Sequence, residues 1–111
     1  MPNTYTNLLF HVVFSTKHRE QSIEPAFQDD LYAYIGGIVR GEGGTLLEIG
    51  GMPDHVHLLI KLKPSLAPSN ILQQIKGKSS KWLNEEKIEQ QDFYWQEGFA
   101  AFSVSESQVE N

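Results

Sequence analysis

The chain has 111 residues, of which 40% are hydrophobic, 11% aromatic and 21% charged, with no cysteine and a formal net charge of −5. That is one domain's worth of chain with a single core of moderate burial, and the composition excludes a disordered or fibrous class. The lack of cysteine excludes a disulfide framework, a thiolate metal site and a thiol nucleophile, and the acidic balance taken whole counts against a nucleic-acid partner.

Met1-Pro2-Asn3-Thr4 has no signal-peptide character, and no apolar run reaches the length of a membrane span. A cytoplasmic protein with no membrane partner is the expectation. Leu8 to Ser15 alternates and is rich in β-formers, so it reads as a strand. One face carries Leu8, Phe10, Val12 and Phe14, and the other Leu9, His11, Val13 and Ser15. Pro25 suits the first turn of a helix, along which Phe27, Leu31, Tyr34, Ile35 and Ile38 recur at helical spacing. Gly36-Gly37 weakens that helix, and Gly41, Gly43 and Gly44 end it.

Thr45 to Ile49 is the second strand, with Gly50-Gly51-Met52-Pro53-Asp54 as a tight connection. His55 to Lys63 alternates again, setting Val56, Leu58, Ile60 and Leu62 against His55, His57, Leu59 and Lys61. Pro64 stops it. Pro68-Ser69-Asn70 opens a second helix with an apolar arc of Ile71, Leu72, Ile75, Trp82 and Leu83. Ser79 falls inside the arc, where a small residue lets a helix approach a sheet closely, and Lys76 and Lys78 fall at opposite margins. Asp92 to Gln96 reads as a short aromatic strand or turn, in which Tyr94 clusters with Phe93 and Trp95. Phe99 to Val104 is the closing strand. Ser105-Glu106-Ser107-Gln108 is a capping-box pattern announcing a third helix, which two turns alone would not stabilise.

The order strand, helix, strand, strand, helix, strand predicts an α+β fold of the ferredoxin-like, split βαβ type. It is an antiparallel sheet with its helices on one face, and residues 1–111 form a single domain without internal repeats. The first and third strands are then central neighbours, so His11 lies beside His55 and His57 on the face away from the helices.

The net charge resolves into three unlike blocks. Residues 1–54 carry Lys17, Arg19 and Arg40 against seven carboxylates, and residues 85–111 carry Lys87 against seven more. Between them, residues 55–84 hold Lys61, Lys63, Lys76, Lys78 and Lys81 and no acid at all. One reading is a solvated helix face; the other is a local anion-binding surface on an otherwise acidic protein.

His55-Val56-His57 places two imidazoles on one strand face about 7 Å apart, close enough to converge on one metal ion. As a bare pattern it also fits exposed or core-satisfied histidines. In its setting, Met52-Pro53-Asp54-His55-Val56-His57-Leu58-Leu59-Ile60 resembles the histidine–hydrophobic–histidine motif of the single-tyrosine transposases, the insertion-sequence-200-like group. Three more stretches resemble the same family in the same order: His11 to Lys17, Gln74 to Ser80, and Trp95 to Ser105. Together they cover essentially the whole chain.

The resemblance implies that His55 and His57 bind a divalent metal, magnesium or manganese, which polarises the scissile phosphate of single-stranded DNA. A tyrosine attacks that phosphate, and the resulting phosphotyrosine ester conserves the bond energy for rejoining. It further implies a homodimer that recognises DNA hairpins, with Lys76 and Lys78, then Lys17 and Arg19, and His11, as the DNA-binding residues. In the family the tyrosine lies on the helix after the closing strand, with a polar metal ligand one turn further. The chain stops at Asn111 before either position, and none of Tyr5, Tyr32, Tyr34 and Tyr94 occupies the family's place. The expectation is therefore a domain lacking the catalytic helix. Gly98-Phe99-Ala100 also departs from the family's usual Gly-Tyr-Gly.

Two imidazoles alone suit magnesium poorly, because that ion prefers six oxygen ligands. Glu48, which alternates onto the face opposite Leu47 and Ile49 on the strand beside the pair, is a candidate third ligand, with a solvent-facing glutamate as the alternative. Asp54 reads either as a turn residue after Pro53 or as a group that orients the connection. Besides a transposase domain, the residues allow a catalytically inactive single-stranded DNA-binding remnant, a small metal-dependent hydrolase, or a purely structural dimer.

Overall fold

Pro25 and Pro68 each stand at the start of a helix, where a missing N–H leaves no intrahelical bond unmade. They open α1 (Pro25–Gly41) and α2 (Pro68–Trp82), and the alternating segments form β1 (Leu8–Ser15), β2 (Thr45–Met52), β3 (His55–Leu62) and β4 (Ala100–Val104). These elements are those of a computed structural model, which describes residues 8–87 and 92–104. A 3₁₀ turn at Lys17–Arg19 follows β1, and a π-helical turn at Leu83–Lys87 extends α2. The pattern at Ser105 to Gln108 lies outside the described residues. No helix among the described residues is long and apolar enough to cross a membrane.

The strands form one antiparallel sheet in the order β2-β3-β1-β4. This is the ferredoxin-like arrangement the element order predicts, with β1 and β3 at the centre. On β3 the alternation sorts cleanly: Val56, Leu58, Ile60 and Leu62 are buried, while His55, His57, Leu59 and Lys61 are half-buried. The buried set meets Val12 and Phe14 of β1, Leu31, Ile35 and Val39 of α1, and Ile71, Leu72 and Ile75 of α2. Each such side chain, fully removed from water, contributes about 1.5–3 kcal/mol of transfer free energy. Ser79 is fully buried, as its place in the apolar arc of α2 predicts.

Three expectations are corrected. β2 runs on through Gly50, Gly51 and Met52, and only Pro53 and Asp54 turn the chain. The two glycines are therefore strand residues that permit close approach, rather than turn residues. A Cβ at Gly51 would overlap the His55 carbonyl oxygen, and one at Gly50 would lie 3.1 Å from His57 Nε2. Leu47 sits at a register shift between Leu46 and Glu48 and is exposed, because the bulge takes it out of the alternation. Tyr94 does not join the aromatic cluster: Phe93 and Trp95 pack edge to face at 4.8 Å, whereas Tyr94 is 53% exposed. Successive residues of an extended segment point to opposite sides, and Tyr94 takes the outer one.

Candidate metal and nucleic-acid site

The Pro53–Asp54 turn is clamped from below before the histidines begin. The buried Thr16, just past β1, donates its N–H to the Asp54 carbonyl at 2.9 Å, and Ile23 donates to the Pro53 carbonyl at 3.0 Å. The Thr16 hydroxyl donates to the Glu20 carbonyl at 2.6 Å, closing the loop around the 3₁₀ turn. With its main chain held, Asp54 presents its carboxylate to two partners. Oδ1 lies 2.8 Å from His55 Nδ1, and Oδ2 accepts from Arg19 Nε at 3.2 Å and Nη2 at 3.1 Å. These contacts, His55 first and then Arg19, hold the Asp54 carboxyl below the usual carboxylate range.

Arg19 reaches Asp54 from an uncommon backbone. His18 and Arg19 both take left-handed conformations, at φ 57° and 55°. For residues with a side chain this costs roughly 1–2 kcal/mol each. The turn is braced by Arg19 N–H to the Thr16 carbonyl at 2.9 Å and by His18 N–H to Gln96 Oε1 at 3.0 Å.

His57 is placed by shape. In the register it faces Gly50 on β2 and Val13 on β1, and the missing Cβ of Gly50 is what leaves room for its ring. His11, diagonal to it on β1, meets it edge to face with ring centroids 5.6 Å apart. The three histidines thus share the sheet face away from the helices, as the strand order predicts. Glu48 pairs with Leu59 and so shares that face. Among the described residues, however, no three His, Asp or Glu side chains gather closely enough to hold a metal ion. The donor set is two imidazoles, one with Nδ1 already engaged by Asp54. Nitrogen ligands of this kind suit manganese better than magnesium.

The cations singled out in the sequence have unlike surroundings. Lys76 is half-buried and tied to the backbone: its ammonium donates to the Gln96 carbonyl at 2.7 Å and to the Gly98 carbonyl. Burial lowers its pKa, partly opposed by Glu97. It therefore staples the segment before β4 to α2. Lys78 lies 3.8 Å from Glu42 at the end of α1, a long exposed pair of little energetic weight. Lys17 holds its ammonium 5.3 Å from the centre of the Tyr94 ring. Arg19 is bound to Asp54, although its side chain remains 63% exposed.

Sequence reasoning missed the residues that dock the segment 92–98. Asn84 brackets Phe93 with two backbone bonds, at 2.5 Å and 3.1 Å. The Trp95 indole donates to Ser79 Oγ at 2.9 Å, and the Ser79 hydroxyl in turn donates to the Ile75 carbonyl at 2.5 Å. Gln96 N–H donates to the Ser15 carbonyl at 2.8 Å, and Lys17 N–H to the Tyr94 carbonyl at 3.0 Å. The signals were present only as residue types: a buried tryptophan needs an acceptor, and a serine inside an apolar arc can supply one.

Comparison with known proteins adds the following. The sequence profile described as "Transposase IS200 like" matches residues 4–111. The transposase for insertion sequence element IS200 of Salmonella typhimurium is 31% identical over 90 residues, which are 78% of this chain and 57% of that protein. The chain thus spans just over half the length of the curated relatives it matches. Among solved structures, the crystal structure of a proposed transposase from Deinococcus radiodurans superposes with a TM-score of 0.80 at 25% identity, over 94% of this chain and 86% of that one. A REP-associated tyrosine transposase, solved bound to a REP hairpin, gives 0.71 at 13% identity over 93% of this chain and 59% of that one, a likeness of fold.

Proposed function

The chain belongs to the IS200-like transposase family, and from that premise we propose that it binds single-stranded DNA folded into hairpins and presents a divalent metal to the scissile phosphate. The observation that supports this reading is the His55–His57 pair on the sheet face that the helices leave free, with the His11 ring edge to face against His57. The hairpin in the structure of the REP-associated relative supports the partner class. Residues 1–111 act as one transposase-like domain, in a homodimer of the family's kind.

His55 and His57 would hold the ion, manganese or magnesium, with Glu48 as the nearest carboxylate candidate on their face. The chemistry such an ion supplies is polarisation of a phosphate oxygen, which stabilises the charge built up during displacement. The protein's part is to fix the imidazoles and to neutralise phosphates along the strand. Lys78 and Lys17, whose ammonium groups meet an exposed carboxylate and a ring face, are better placed for that than Lys76, which is tied to two carbonyls. Attack by a tyrosine hydroxyl would join its oxygen to phosphorus and release the other DNA end as a hydroxyl. Energy retained in the phosphotyrosine ester then allows rejoining without ATP.

The described tyrosines have other surroundings. Tyr34 stacks on Trp82 at 4.6 Å in the helix layer. The Tyr32 hydroxyl, on the same helix, is buried without a hydrogen-bond partner, and the Tyr94 hydroxyl donates to Asp92 at 3.1 Å. This favours, as a second reading, a 111-residue chain that binds hairpin DNA without cutting it. Titrating that chain with a hairpin in manganese buffer at several salt concentrations tests both points. Binding should weaken steeply with salt, by a slope near −0.7 to −0.9 for each phosphate contacted, with no covalent adduct. Salt-independent or absent binding contradicts the nucleic-acid reading; a protein–DNA adduct contradicts the reading of the tyrosines.

A further inference from the structure

Arg19 and Asp54 are set beside His55 with more care than a surface ion pair needs. The Asp54 main chain is fixed by the buried Thr16, and Arg19 is delivered by two consecutive left-handed residues. The Asp54 carboxylate divides its oxygens: one faces the imidazole at 2.8 Å and the other takes two guanidinium bonds. The geometry points to a tautomer lock. We propose that Asp54, held in place by Arg19, is a positioning residue that keeps the His55 proton on Nδ1, so that Nε2 is the nitrogen offered to a divalent ion.

The chemical step is short. An ionised carboxylate only accepts, so the ring nitrogen that faces it must carry hydrogen. In the neutral imidazole the other nitrogen then has the free lone pair, and a lone pair is what a metal requires. Arg19 acts through Asp54: its two bonds to Oδ2 hold the carboxylate plane, leaving Oδ1 aimed at the ring. Arg19 is thereby moved from the DNA-binding set, where its charge and neighbours placed it, to the support of the metal pair. Among the described residues no carboxylate bonds His57, whose ring lies over the space left by Gly50.

The inference rests on the reading of His55 and His57 as a metal pair, and the test separates the two. The full 111-residue chain, with ¹⁵N-labelled histidine, is freed of metal and observed by long-range ¹H–¹⁵N correlation over a pH series, read on the alkaline plateau where the ring signals stop moving. His55 should show a protonated Nδ1 and a bare Nε2. In Asp54→Ala this preference should be lost. Arg19→Met, which leaves the carboxylate in place but unbraced, should erode it part-way. Added manganese should broaden the His55 and His57 signals, with affinity reduced about tenfold or more in Asp54→Ala.

A His55 that carries its proton on Nε2 in the unmodified chain, which needs no variant to fold, overturns the proposal while manganese broadening keeps the metal reading. Unchanged manganese affinity in Asp54→Ala overturns it in the same way. If neither histidine responds to manganese, the metal reading fails, and the lock's purpose with it.

Discussion

The two faces of the sheet are organised by different physics. On the helix side, Val56, Leu58 and Ile60 are wholly buried, and what holds them is area removed from water. On the other side, His55, His57 and Leu59 of the same strand are half-buried, and Phe102, which pairs with His11 on that face, is 61% exposed. What holds the histidines is specific local geometry: a carboxylate for His55, and for His57 the room left by Gly50 and the edge of the His11 ring. The comparison teaches where each kind of damage falls. A loss on the sealed face removes stability, whereas a loss on the histidine face removes geometry.

The sharpest break of that contrast is Leu58→Ala against His57→Ala. The first should cost about 2–5 kcal/mol in chemical denaturation through the cavity it leaves, and the second less than about 1 kcal/mol. Ser79→Ala should come next, since it strips the Trp95 indole of its acceptor inside the core. A loss of about 1–3 kcal/mol is expected, and Ser79→Cys or →Thr should not be equivalent replacements in so tight a site. Gly50→Ala tests the histidine face. Its new methyl meets the His57 ring, so folding should change by less than about 1 kcal/mol while manganese affinity falls roughly tenfold.

The smallest effect separates two lysines that look alike in the sequence. Lys76→Met should destabilise by about 1 kcal/mol, because the carbonyls of Gln96 and Gly98 lose their donor. Lys78→Met should leave stability within about 0.5 kcal/mol but reduce the salt slope of hairpin binding by about 0.7 to 0.9 if it contacts one phosphate. Equal behaviour of the two variants in both assays would erase the distinction drawn between them.

Much of the architecture was legible because alternation and helical spacing are local signals. The faces of β3, the starts of both helices, the strand order and the place of His11 beside His57 all follow from them. What stayed hidden depends on contacts distant in sequence. Gly50 and Gly51 read as turn formers until the His57 ring and the His55 carbonyl are set against them. Arg19 and Asp54 are 35 residues apart, and only the antiparallel pairing of β1 with β3 brings them together. Charge alone marked Lys76 and Lys78 as equivalent, because nothing in α2 itself shows that one of them meets two backbone carbonyls.

Manganese binding to the metal-free 111-residue chain, followed by electron paramagnetic resonance as free manganese disappears, tests the central claim most directly. We predict one site per chain, lost in His55→Ala and in His57→Ala, while Lys63→Ala, just past the far end of the strand, binds as the parent does. Manganese binding that survives removal of both histidines would contradict the account.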